Sequence, residues 1–200
     1  KSTGKIEVDG RPLAIDSPRT AHANGLAYLS EDRQGKGLVL PFNVMENITA
    51  LSLPRYVRGL IRHRAERRRA EEYQQRLAIK AARLSDPVQL LSGGNQQKVY
   101  LAKLLDIDPE VLILDEPTRG IDIATKQQIY RLIRSLAEQG KAVMVISSEL
   151  EEIIGLCDRV LVIREGRIAA ELDDEEINER DIMLYAAGAR QRGQAGAEVH

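Results

Sequence analysis

Cysteine is nearly absent: Cys157 is the only one in 200 residues. An internal disulfide framework is therefore excluded, and a reducing compartment is expected. No apolar run approaches the ~18 residues that carry a helix through a bilayer, so no segment reads as membrane-spanning. Nor does the chain open on a charged segment followed by an apolar one. Its first residues, KSTGKIEVDG, are polar and glycine-bearing and carry no secretory leader pattern. They also lack an initiating methionine and run into a strand-like IEV within five residues, which reads as the middle of a domain and so as a fragment. An excess of either charge is missing as well. Lys+Arg number 29 and Asp+Glu 30, so no global field draws the chain to nucleic acid or anionic lipid. What is present, 43% apolar and 30% charged residues, suits a soluble α/β protein of one domain with a subdomain.

Hydrophobic patterning gives the order of elements. Ile6–Val8 reads as a strand turning at Asp9-Gly10 into residues 11–15. Pro18 starts a short helix that Gly25 ends, and Leu26–Leu29 is a second strand, followed by the polar loop SEDRQGKG. From 43 to about 106 the texture is helical, with no strand expected. Asn43 and Glu46 form a capping-box pattern over VMENITAL. RHRAERRRAEEYQQRLAIKAARL, at 62–84, reads as one long charged helix with Glu–Arg pairs three or four apart. Its basic run could be a nucleic-acid patch, but interleaved acids favour a solvated face. VLIL (111–114) and AVMVI (142–146) are continuous apolar runs, as in parallel strands buried on both faces. Between them 122–139 has helical periodicity. A short helix at 149–156, a hairpin turning at Glu165-Gly166, a last helix over 177–187 and a frayed Gly/Ala/Gln-rich tail complete the chain.

Two stretches carry chemistry. In LSGGNQQK the adjacent Gly93 and Gly94 let backbone N–H groups approach an anion, the following helix adds its positive end, and Ser92 can donate a hydroxyl hydrogen bond. In VLILDEPTRGID a buried strand ends in Asp115 and Glu116 at the carboxyl edge of a parallel sheet, where such folds bind ligands. Asp115 suits a water-mediated contact with Mg²⁺, and Glu116 can orient or deprotonate an attacking water.

LSGGNQQKV followed about twenty residues later by VLILDEPTRGID resembles the nucleotide-binding subunits of ABC transporters. The first would be their signature loop, the second their Walker B strand, catalytic glutamate and D-loop. EDRQGKGLVLPFNVMENI, Asn95 and EPTRGID look more narrowly like the second ATPase half of the ribose-type sugar importers, in which two halves are fused. The resemblance covers about 6 to 187. It implies a P-loop ATPase core (RecA-like, mainly parallel sheet) over 1–42 and 107–187, a helical subdomain over 43–106, and a tail over 188–200. It also implies ATP and Mg²⁺ as cofactors, Asp115 at the metal, Glu116 and Ser148 as catalytic positions, and Glu31, Leu91, Ser92, Gly93, Gly94, Asn95, Gln97 and Asp122 around the nucleotide. The implied partners are the N-terminal half of the same polypeptide, transmembrane permease subunits and, indirectly, a solute-binding protein, with no nucleic acid. The implied location is peripheral, on the cytoplasmic face of the membrane. A nucleoside or signalling-molecule importer, or a soluble ATPase of the same type acting on ribosomes or DNA, remains an alternative.

The phosphate loop G-x-x-x-x-G-K-[ST] does not occur; KSTGK has its letters but not its pattern and reads as a turn into the first hairpin. The lysine loop is expected upstream or on another chain. Where the family usually has a lever glutamine stands Glu31, and where it has a histidine after the next strand stands Ser148, which can be neither cation nor proton relay near neutral pH. A half with an intact signature loop and a weak site of its own is thus expected, and one that is inactive as a fragment. Pro41, Phe42, Val44 and Met45 are the residues expected to meet a permease.

Overall fold

Strand–helix alternation around a helical insert is what the chain adopts in a computed structural model, which describes residues 4–8 and 10–190. The expected turn at Lys1–Thr3, the Asp9 position and the tail from 191 onward lie outside the described residues. The chain forms two compact units, divided between Ile146 and Ser147.

The first unit opens with β1 (Ile6–Val8) antiparallel to β2 (Arg11–Leu13). Helix α1 (Pro18–Ala23) follows, with proline in its first turn and the Ser17 side chain accepting from the Thr20 N–H. Gly25, at φ +74°, reverses the chain into β3 (Leu26–Leu29). SEDRQGKG, expected as an open loop, winds one π-turn over Arg33–Gly37 whose N-terminus is capped by the Asp32 carboxylate. Helix α2 (Val44–Thr49) carries the expected capping box: Asn43 Oδ1 accepts from the Glu46 N–H at 2.8 Å and Glu46 returns the contact at 2.9 Å. Val44 is wholly buried, so of the residues expected to be a docking surface Phe42 remains exposed and Val44 belongs to the core.

Two expectations for the insert are corrected. A short hairpin, β4 (Val57–Arg58) and β5 (Leu60–Ile61), stands where no strand was foreseen, with Gly59 at φ +78° between its arms. Helix α3 spans His63–Arg76 and stops well short of 84. Ala78 takes φ +48°, and its carbonyl accepts from the buried Lys98 amine at 2.9 Å. The chain beyond it turns inward to bury Ile79 and Leu84. Tertiary contacts override a locally favourable helix there.

Helix α4 (Gly93–Leu105) is the spine of the unit, buried along almost its whole length from Gly94 onward. It packs between β3 and α2. Its buried amines are matched: Lys103 Nζ reaches the Gly37 carbonyl at 2.8 Å, and burial lowers the pKa of both Lys98 and Lys103. At its C-cap Asp106, 1% exposed, accepts from Ser52, from Tyr56 at 2.9 Å and from Arg69 at 2.8 Å, binding α3 to α4.

β6 (Val111–Asp115), α5 (Ile123–Glu138) and β7 (Ala142–Ile146) complete a parallel sheet of order β3-β6-β7. Leu29, Leu112 and Leu114 lie on its covered face, each fully buried. On the opposite face Tyr28, Ile113 and Met144 share one register row. Tyr28 and Met144 are about half exposed, as is Ile146 two rows on beside Asp115. The strands were expected to be buried on both faces; the described residues cover one.

The second unit packs α6 (Leu150–Leu156) and α7 (Glu179–Ala186) with a hairpin of β8 (Arg159–Arg164) and β9 (Arg167–Asp173). Glu165 and Gly166, both at positive φ, form the expected turn. Alternate residues Val160, Val162, Ala170 and Leu172 meet Ile182 and Tyr185 in its core, with Cys157 against them and its thiol pushed up by burial.

Removing the Asp106 carboxylate leaves Arg69 and two hydroxyls without their buried acceptor. Asp106→Ala should cost about 3 kcal/mol in urea unfolding. Tyr56 beside it has its pKa pushed up to about 12 by burial, then by the Asp106 charge and hydrogen bond. Folding thus favours the neutral phenol: its contribution is complete below pH 10 and lost as pH climbs through 12. Tyr56→Phe should flatten the alkaline fall in stability over that window; an unchanged slope would assign it elsewhere, for instance to Tyr73.

Candidate functional site at the start of the spine helix

The N-terminus of α4 is open. The first N–H groups of a helix have no intrahelical acceptor, and Ser92 at the N-cap does not cap them with its side chain. Instead the Asn95 amide donates to Ser92 Oγ at 2.9 Å while Asn95 Oδ1 accepts from the Lys80 N–H at 2.7 Å. This relay fixes the Asn95 amide and occupies the serine as an acceptor, so its own proton is left to donate outward. The amides of Gly93, Gly94 and Asn95, the helix's positive end and the exposed Ser92 hydroxyl form one anion-facing set.

At Gly94 space is the constraint. A Cβ on Gly94 would lie 2.9 Å from Thr125 Cγ2 and 3.0 Å from its Oγ1. Thr125 cannot retreat freely, because Asp122 accepts from its N–H at 2.9 Å and from its hydroxyl at 2.8 Å. Those bonds hold the Asp122 carboxyl below its usual range and make it the N-cap of α5. A Cβ on Gly93 would meet Arg33 Nη2 at 2.7 Å. Arg33, desolvated enough to lower its pKa, donates to the Arg119 carbonyl at 3.3 Å and keeps a buried Nε without a partner. Arg119 in turn pairs with Glu31 at 2.6 Å. Three segments distant in sequence, around 31–33, 92–95 and 119–125, thus meet at one end of α4.

Asp115 and Glu116 stand at the end of β6. Tyr28 donates to Asp115 Oδ2 at 2.6 Å, and that bond is the chief reason its phenol pKa is raised. Glu116 has φ +49°, a strained value for a residue with a side chain, and its N–H donates to the Ile146 carbonyl at 2.8 Å. No group of three or more His, Cys, Asp or Glu able to hold a metal occurs among the described residues. A divalent ion would take a carboxylate here and the rest of its shell from phosphate and water, the habit of Mg²⁺ and not of a protein cage.

The remaining expected residues fall elsewhere. Gln97 is buried, donating to the Pro117 carbonyl at 2.8 Å, and so ties α4 to the segment after β6 instead of facing a ligand. Leu91 is half-buried and offers its carbonyl to Gln96 at 3.3 Å. Ser148 is exposed and belongs to the second unit.

The ABC transporter family model matches residues 1–119. The chain belongs to that family. It is 48% identical over 189 residues to the ribose import ATP-binding protein RbsA 2 of Agrobacterium fabrum, covering 94% of this chain and 37% of that protein. Against RbsA 2 of Streptomyces avermitilis it is 50% identical over 186 residues, 92% and 37% of the two. The chain thus spans well under half the length of these relatives. Among solved structures it resembles the dimeric ATP-binding cassette MJ0796 in a post-hydrolysis state with ADP and Pi, at TM-score 0.72 and 22% identity over 86% of this chain and 74% of that one. CbiO1 of Clostridium perfringens, part of the cbiONQ ABC transporter complex, aligns at 0.70 and 24%, over 91% and 71%. These two speak for the fold: an ABC cassette core with a mainly parallel sheet, as the motifs implied.

Within this ABC chain, sequence reasoning missed Tyr28, Arg33 and Thr125. The polar stretch SEDRQGKG was the available signal for Arg33, and the position three after the Asp122 cap the signal for Thr125. Gly94→Ala should lower stability by about 1–3 kcal/mol through overpacking. Thr125→Ala in the same chain should return most of that loss in a double-mutant cycle. Additive effects would mean that the two positions do not share the space.

Proposed function

We propose that this chain is part of the second ATPase half of an ATP-binding protein that energises uptake of a sugar such as ribose. Its site residues would be divided between two nucleotides. The observation that carries the reading is the uncapped start of α4, where Ser92 is held as an acceptor by Asn95 with its proton free to reach an external phosphate. Ser92, Gly93 and Gly94 would grip a terminal phosphate bound by the phosphate loop of the N-terminal half. The 37% share of each relative's length supports such a partner within the same polypeptide.

Asp115, Glu116 and Ser148 would serve the other nucleotide. The uncovered face bearing Tyr28, Ile113 and Met144 supports a phosphate-loop segment packing there, contributed by sequence outside these 200 residues. Bound Mg²⁺ would neutralise charge on the phosphates. Asp115 would orient that ion through water, Glu116 would position or deprotonate the attacking water, and Tyr28 would hold the Asp115 carboxylate in place. Glu31, tied to Arg119, would occupy the lever position, while Asp122 and Gln97 would position the loop without touching nucleotide. With serine in place of histidine, this second site would turn over slowly.

The core at 1–42 and 107–187 and the helical subdomain at 43–106 would divide these roles, with Phe42, where the core meets the subdomain, facing permease subunits and a solute-binding protein acting through them. Attachment would be peripheral, on the cytoplasmic face of the membrane that holds the permease. No described helix is long and apolar enough to cross a membrane.

In the complete protein with its permease, Ser92→Ala should reduce ATP hydrolysis on the order of tenfold or more, as loss of a phosphate donor does, while Ser148→Ala should leave it nearly intact. The opposite ordering would overturn the division of sites. The 200 residues alone should show no micromolar ATP binding by calorimetry, and a clear isotherm would refute the need for a second phosphate-binding segment.

A further inference from the structure

The balanced total charge conceals a local imbalance in the helical insert. The fifteen residues from Arg55 to Arg69 hold seven arginines and a single acid, Glu66. That acid does not neutralise the surface: it is 4% exposed and turned inward, accepting from the Thr49 hydroxyl at 2.8 Å. Arg67 and Arg68 pair with Glu71 and Glu72 one turn on, and Arg69 is shared between Glu72 and Asp106. Arg62 and Arg64 are exposed and have no acidic partner among the described residues. With Arg68, Arg69 and the Glu72 carboxylate those two share, they line a cleft of about 430 Å³ that closes on Tyr56.

Beside this cleft stands the β4–β5 hairpin, its base tied to the start of α3 by the Arg62 N–H on the Tyr56 carbonyl at 2.8 Å. Val57 and Ile61 are cross-strand partners on one face, each more than 40% exposed. Leu60 next to the Gly59 turn is 83% exposed, the most exposed large apolar residue among those described. Aliphatic side chains on a short protrusion next to unpaired arginines match a layered partner, anionic at its surface and apolar beneath. Single-stranded nucleic acid would use aromatic platforms, and the one aromatic here, Tyr56, is buried; a duplex would engage the arginines through its phosphates but would offer the exposed Leu60 nothing apolar to enter.

We propose that the β4–β5 hairpin and the N-terminal turn of α3 form a contact surface for the anionic headgroup layer of a lipid bilayer. Arg62 and Arg64 take the phosphates, and Leu60, Ile61 and Val57 enter the acyl boundary. These residues lie outside the nucleotide motifs, so the fate of this inference is separate from that of the ATPase reading.

The test is sedimentation of the complete polypeptide with vesicles of phosphatidylcholine alone or with phosphatidylglycerol added. Binding should require phosphatidylglycerol and weaken as salt rises. Arg62→Glu with Arg64→Glu should lower partitioning by about tenfold or more. Leu60→Asp should lower it too, at unchanged thermal stability, and both variants should retain ATP hydrolysis in detergent. Four results would overturn the proposal: equal binding to pure phosphatidylcholine, no loss in either variant, full competition by inorganic phosphate, which would mark a free-phosphate site, or a preference for duplex nucleic acid over the vesicles.

Discussion

The first unit depends on α4 being two things at once. It is buried on nearly every side, so its axis cannot shift without disturbing β3, α2 and the Asp106 cluster. Yet its first turn emerges uncapped, with three amides and a serine proton unspoken for. A helix start in a mobile element would satisfy those groups by fraying or rotating toward water. Here the helix body is held by packing, by Lys98 and Lys103 on carbonyls, and by Gln97 on Pro117. The open end is therefore presented in a fixed direction, which is the preorganisation that makes backbone dipoles effective toward charge.

The same fixity reaches β6. Gln97 joins the spine to the residue after Glu116, and Arg33 and Glu31 join Arg119 to the segment after β3. The Glu31–Arg119 pair is exposed and contributes little to stability by itself. Its physical interest lies in connecting the loop after β3 to the loop after β6, alongside a guanidinium whose buried Nε lacks a partner. A buried donor left unmatched is costly.

Local rules made the motifs and most elements legible. The Asn43–Glu46 box, the helix start at Pro18, the Glu165-Gly166 turn and the β6 and β7 runs are each specified within a few residues, and each occurs in the structure. The failures have a common cause, in that distant residues decided them. Residues 77–84 have good helix formers, but the amine of Lys98 draws the Ala78 carbonyl and the chain turns. Val44 looked like surface beside Phe42 and is buried by the fold. Gln97 carries a side chain suited to a ligand, and burial aims it at a backbone carbonyl. Arg33 gave no periodic signal, because its meaning comes from Gly93 and Arg119, sixty and more residues away.

Charge is the clearest instance of that gap between composition and place. Summed over the chain, acids and bases cancel, and the arginine-rich helix reads as a solvated face with its own counter-ions. Pairing at i, i+4 indeed accounts for Arg67 and Arg68. What the sum cannot register is that Glu66 points into the protein toward Thr49 while Arg62 and Arg64 point out, so equal numbers leave an unequal surface. Glu71 and Glu72 are taken up by Arg67, Arg68 and Arg69, and acids more than a Debye length of about 8 Å away are largely screened from that surface. A partner approaching the hairpin therefore meets the local excess of arginine and the aliphatic tip together, and the near-zero net charge of the whole chain has little bearing on the encounter.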